Sequence, residues 1–312
     1  MFRQVKRMLL LAGMALMVPL VSLAAASPAM AQPKGIFSIF ANCPLGTIKA
    51  LGVPPGDALC QDGLTTSGEF AIGSTKVPIS KTLTLEGGAI PTGNSEEYFL
   101  LPGANGTSLS KVELNVPGGL LDLINCEEIK GDKLLEKLER GTCKAIFENK
   151  TTGVTATTEV VANERNPAIL NTANLSFGEG TAITLPVRVH LKNPLLGSGC
   201  YIGSESSPIE LHLTTGATSP NPPNKSIKGK VGKESNHEEF GQYLLKLKEN
   251  SLVDNAFSVP TAEGCGELFA FIIDPIVDSK LKLPSADGSN TAILNGELNT
   301  ATAEAVEASE KG

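Results

Sequence analysis

The chain has 312 residues, 26 basic and 33 acidic, and a formal charge of −7. An acidic surface repels phosphate backbones, which argues against nucleic-acid binding. The length suits one large β domain or two smaller ones, and the absence of Trp, with only three Tyr, weakens a sugar-stacking site.

The N-terminus carries the strongest local signal. Arg3, Lys6 and Arg7 precede an apolar run, Met8 to Leu23, and Ala29-Met30-Ala31 offers a small-x-small cleavage site. This pattern predicts a secretory signal peptide over residues 1–31, cleaved after Ala31 and excluded from the fold. Its removal takes the formal charge to −10, because it holds three positive and no negative charges. No later stretch reaches the roughly 18 apolar residues of a spanning helix. The expected location is therefore secreted or associated with the cell surface.

Six cysteines follow, at positions 43, 60, 126, 143, 200 and 265. An even number in an exported chain reads as a disulfide framework. Pairing between sequence neighbours predicts Cys43–Cys60, Cys126–Cys143 and Cys200–Cys265. No C-x-x-C occurs and no His lies within four positions of a Cys, so a zinc site is not expected.

Period-two alternation dominates the chain. Strands are predicted near 69–73, over Val77 to Leu85 across Lys81, at Val112 to Val116, and over 143–148 and 154–161 around a hairpin loop at 149–153. One helix is predicted between Asp132 and Gly141. Ile183, Leu185, Val187, Val189 and Leu191 fall on one face of a half-buried strand. Pro186 within it implies an edge or a bulge. Ile209, Leu211 and Leu213 repeat the pattern. Thr215 to Lys225 reads as a surface loop or a linker. Lys225, Lys228, Lys230 and Lys233 read as a protected strand edge, with contact to an anionic envelope polymer as the rival. Strands follow near 242–248 and 291–298.

Leu268 to Val277 is the densest apolar segment. Leu268, Phe269, Ile272, Ile273 and Ile276 recur at near-helical spacing. They predict a short helix, broken near Pro275 and buried as a core plug behind Cys265; exposure of Phe269, Phe271 and Ile272 would make it a binding surface instead. Residues 301–312 are read as a polar, flexible tail. The body, 32–300, is taken as one β-rich domain with two halves, about 32–165 and 166–300, as an option.

Catalytic motifs are absent: there is no G-x-S-x-G, P-loop, G-x-G-x-x-G or H-E-x-x-H. Two S-x-x-K matches, at Ser108 and Ser279, lack their companion motifs. No catalytic residue, cofactor or particular ligand is assigned. The one constellation with geometric content is His190 with His212. Pairing Lys192 opposite Glu210 would set these imidazoles face to face, a candidate metal pair whose plain alternative is two surface histidines.

Asn42-Cys-Pro-Leu45, Gly73 to Ser80 (GSTKVPIS), Gly199-Cys-Tyr-Ile-Gly203 and Gly264-Cys-Gly266 together resemble secreted proteins of unknown function from high-GC Gram-positive bacteria. The resemblance implies an extracellular or envelope location and supplies no catalytic residue.

The expectation is an all-β, disulfide-stapled antiparallel sandwich, one large or two small, with a few short helices. The leading function is a secreted, non-enzymatic structural or binding protein, its partner an envelope component or another protein. The alternative is an extracellular hydrolase using a carboxylate pair that sequence spacing does not reveal.

Overall fold

In the computed structural model, residues 32–119 and 153–311 are described. They form one continuous antiparallel sheet with short helices against it. Its principal strands are β1 (Leu59–Ile72), β3 (Leu83–Pro91), β4 (Glu97–Pro102), β6 (Thr155–Val160), β7 (Ile169–Asn171), β8 (Ile183–Lys192), β10 (Ile209–Leu213), β11 (Lys233–Glu239), β12 (Gln242–Asp254) and β14 (Thr291–Thr302). Shorter strands are β2 (Thr75–Pro78), β5 (Leu114–Asn115), β9 (Tyr201–Ile202) and β13 (Ala262–Glu263). The antiparallel, disulfide-stapled β architecture is thus present, with its facing layers cut from a single sheet.

The order β12-β14-β1-β3-β4-β7-β8 continues through β10, which pairs with β8. Thr214 then bridges back to Val253 of β12, with reciprocal N–H to carbonyl bonds of 2.9 Å. The strands therefore close a circuit. Alternation supplies its interior: Ile183, Leu185, Val187, Val189 and Leu191 are buried, as are Ile209, Leu211 and Leu213. They face Leu298, Ala292 and Leu247 across one apolar core. Closure needs strong coiling, and bulges provide it. The β1–β14 register shifts between Thr65 and Ser67. There a Cβ on Gly296 would stand 1.7 Å from the Leu64 carbonyl oxygen, so the close approach requires glycine.

Pro186 lies in a central strand rather than at an edge, with β10 on one side. On the other, β7 pairs up to Thr184 and β6 only from Val187 onward. The Val161 N–H donates to the Pro186 carbonyl at 3.0 Å. A residue's N–H and C=O point to the same antiparallel neighbour, so the missing donor falls in the gap between the two strands.

A second core lies on the outer face of β1, β12 and β14. A 3₁₀ turn, Gly35–Phe40, helix α1 (Leu45–Ala50) and the C-terminal helix pack there, burying Phe37, Phe40, Ile48, Leu244, Ala301 and Val306. Residues 301–311 of the expected tail therefore do not behave as a free tail. Ala303–Lys311 is helical and packs Ala303, Ala305 and Val306 inward; small side chains, read as polar composition in the sequence, let the helix lie close to the sheet. The first disulfide, Cys43–Cys60, sits inside this core.

The second, Cys200–Cys265, joins the β9 region to the segment before helix α3 (Ala270–Leu281); α2 is the short Thr172–Phe177. The helix α3 runs unbroken through Pro275, where a kink was expected. Asp274 accepts the Gly264 and Cys265 N–H groups, and Asp278 accepts Ala262 N–H at 2.7 Å. These carboxylates tie the helix to β13 on both sides of the proline. Ile273, Val277 and Leu281 are buried, so this face is a core plug. The leading tip is not: Leu268 is 88% and Phe271 73% exposed, with Phe269 also exposed.

Cys126, Cys143, the helix expected at 132–141 and the strand at 143–148 lie outside the described residues. Pairs β1–β14 and β4–β7 cross the division near residue 165. Among the described residues no helix is long and apolar enough to cross a membrane.

Candidate functional site

The expected facing histidines are not formed. β10 pairs with β8 so that His212 stands opposite Thr184, six residues from His190. The register follows the buried faces: Ile209, Leu211 and Leu213 must meet Val187, Leu185 and Ile183 inside the circuit, and this outweighs the Lys192–Glu210 charge match. His212 is half exposed, with Nε2 3.7 Å from Glu210. Among the described residues no cluster of three or more His, Cys, Asp or Glu could hold a metal.

His190 instead joins a cluster on the outer face of β6, β8 and β9. Its register partners are Thr157 and Tyr201. The imidazole stacks on the Tyr201 ring with centroids 4.3 Å apart and planes at 19°. The Arg188 guanidinium lies 4.3 Å from the same ring centroid, a cation–π contact. Arg188 is also fixed by Glu159, opposite it on β6, through Nε at 2.9 Å and Nη2 at 2.8 Å from Oε2. Glu159 Oε1 stands 4.0 Å from His190 Nδ1. Burial, the largest influence, lowers the His190 pKa; Glu159 opposes this, while Lys192 and Arg188 add to it. The Thr157 hydroxyl and His190 Nε2 are buried without a hydrogen-bond partner.

Glu159, Arg188 and Tyr201 of this cluster form one wall of a cleft of about 440 Å³. The opposite wall is the loop after β4, where the Gly103 N–H donates to the Thr107 carbonyl and Asn105 Oδ1 accepts the Thr107 N–H. Ser110 N–H and Ser108 carbonyl bonds to Thr84 and Glu86 anchor that loop to β3. Thr107, Ser108 and Lys111 present polar groups; Leu100, Val160 and Ala168 supply apolar surface. Lys111 is exposed and makes no ion pair among the described residues. The volume falls within the range of small-molecule sites. Among the described residues Glu159 is the one carboxylate lining the cleft, and it is paired with Arg188. The arrangement can seat a ligand.

Two smaller apolar cavities, of about 50 and 70 Å³, lie against the main core. Of the four lysines at 225–233, Lys230 and Lys233 are both paired with Glu249, and β11 is an edge strand.

Alternation with Val187, Val189 and Leu191 places Arg188 and His190 on the strand face opposite the core. It missed Glu159 and Tyr201 as their partners, because nothing local encodes the β6–β8–β9 register. Compared with family models, curated proteins and solved structures, the chain matches none.

Proposed function

We propose that this chain is a secreted, non-enzymatic binding protein that works at or near the cell surface, with the cleft beneath the 103–111 loop as its binding site. One observation carries the reading: an amphipathic cleft of about 440 Å³ in which Arg188 and Glu159 are fixed in advance by their mutual pairing. Arg188 is held between Glu159 and Tyr201, so little side-chain freedom is lost when a ligand arrives. The lining charges are Lys111, Arg188 and Glu159, leaving one positive charge in excess. A small ligand with an apolar body and one carboxylate fits this balance. The two disulfides and the acidic composition support an extracellular setting. The alternative, a hydrolase using a carboxylate pair, would need a second carboxylate beside Glu159.

Calorimetric titration with short aliphatic and aromatic carboxylates tests the reading. Binding is expected to weaken at least tenfold in Lys111→Glu, which inverts the excess charge, and in Tyr201→Ala. Equal binding in both variants, or no binding of any carboxylate by the wild type, rejects it.

A further inference from the structure

A different polar group lies on the outer face beside the second core, and its chemistry does not depend on the cleft. Four residues stand in one transverse row across four adjacent strands. Lys246 of β12 is opposite Asn299 of β14. Asn299 is opposite Asp62 of β1, and Asp62 is opposite Glu86 of β3. Directly opposed residues hold their Cβ atoms about 5 Å apart, within reach of a lysine's four-carbon stem.

Asn299 is 2% and Asp62 7% exposed. The Asn299 amide nitrogen lies 3.2 Å from Asp62 Oδ1, while Asn299 Oδ1 is buried with no partner. Turning the amide about Cβ–Cγ exchanges these atoms; it gives up the 3.4 Å contact of Nδ2 with the Asp62 main-chain oxygen and brings Oδ1 onto the Asp62 carboxyl. A neutral carboxyl then donates to it. Burial raises the Asp62 pKa and so favours that neutral acid; Asn299, as a hydrogen-bond partner, and Lys246, by its charge, act the other way. Glu86 is held apart, accepting from Asn42 Nδ2 at 2.9 Å. Lys246 is partly buried and makes no hydrogen bond or ion pair among the described residues.

We propose that Lys246 and Asn299 become joined by an intramolecular isopeptide bond, with Asp62 as the acid that promotes it. Asp62 polarises the Asn299 carbonyl. The Lys246 ammonium first passes its extra proton to solvent, and the free amine attacks Cγ, forming the Nζ–Cγ bond; the released ammonia later takes a proton back from solvent. Asp62 relays a proton to the amide nitrogen, the Cγ–Nδ2 bond breaks, and ammonia leaves. Lysine enters as an ammonium and nitrogen departs as ammonium, so charge and atoms balance without an oxidant or a cofactor. The product ties β12 to β14 covalently within the sheet.

Mass spectrometry of the purified, disulfide-bonded chain tests this. The wild type is expected to be lighter by one ammonia than Lys246→Arg, after correction for the substitution. A digest should yield one branched peptide joining β12 to β14. Asp62→Ala is expected to keep the full mass; should it fail to fold, the wild-type digest alone decides. A wild type of full mass overturns the proposal. Loss of water in place of ammonia also overturns it, because that places the bond on Asp62. So do a wild type and a Lys246→Arg variant of equal mass after correction, since an ammonia loss common to both comes from cyclisation of an N-terminal Gln32 or from succinimide formation at an Asn–Gly step such as Asn105–Gly106 or Asn295–Gly296.

Discussion

The outer face of the sheet carries two polar clusters that differ in what lies above them. Around Arg188, Glu159 and Tyr201 the face opens into a cleft, and charges are kept as charges by mutual pairing. Around Asp62 and Asn299 the terminal helices and the 3₁₀ turn pack beside the row, and burial pushes the carboxyl toward its neutral form. Strand alternation produces both, since each is a set of outward side chains. Whether such a set becomes a recognition surface or a sealed polar row depends on the covering elements. In low dielectric an unpartnered polar group is costly, and in the open the same group is free to meet a ligand.

This contrast breaks most readily at the sealed row. Asn299→Ala strips Asp62 of its side-chain partner and should lower the unfolding free energy by about 2 kcal/mol, read from urea denaturation. Arg188→Ala at the cleft should cost less, about 1 kcal/mol, because the pair is partly exposed and solvent screens it. A loss at Arg188 larger than at Asn299 would reverse the ranking of the two sites.

The third expectation concerns pH. Folding lowers the His190 pKa below its usual 6.5, so the unfolded chain takes up that proton first. The contribution is complete above pH 6.5 and is lost as pH falls through the folded value. Asp62 and Asp254, both raised above 3.8, act in the opposite sense: stability is gained as pH falls through their raised values. The His190 share is the difference between wild type and His190→Phe, which keeps a ring on Tyr201. Wild-type stability should fall relative to the variant as pH drops from 7 to 5; parallel curves would sink the assignment. The smallest effect belongs to the tip of α3. Phe271→Ser should change stability by no more than about 0.5 kcal/mol, because a side chain 73% exposed buries little.

How much of this was legible in the sequence depends on range. Alternation marked the inward side chains of β8 and β10, and neighbour pairing marked Cys43–Cys60 and Cys200–Cys265, because these are local patterns. Registers between distant strands were not legible. His212 fell opposite Thr184 because the apolar faces aligned first. Asp62 and Asn299 meet although the whole chain lies between them. The tip at Leu268 was misread for a related reason: apolar spacing identifies a helix and its stripe, but not where the body beneath it stops.

The Thr214–Val253 bridge has a further consequence for how copies of this chain meet one another. By closing the circuit with two backbone hydrogen bonds, it commits the donors of Thr214 and Val253 within the chain rather than to a neighbour. Among the described residues the sheet path ends at the short β5 and at β11, and the sequence of β11, KESNHEE, places charges of both signs along its edge. Such an edge is a poor template for another strand. The chain can thus be crowded at an interface while keeping its backbone donors to itself.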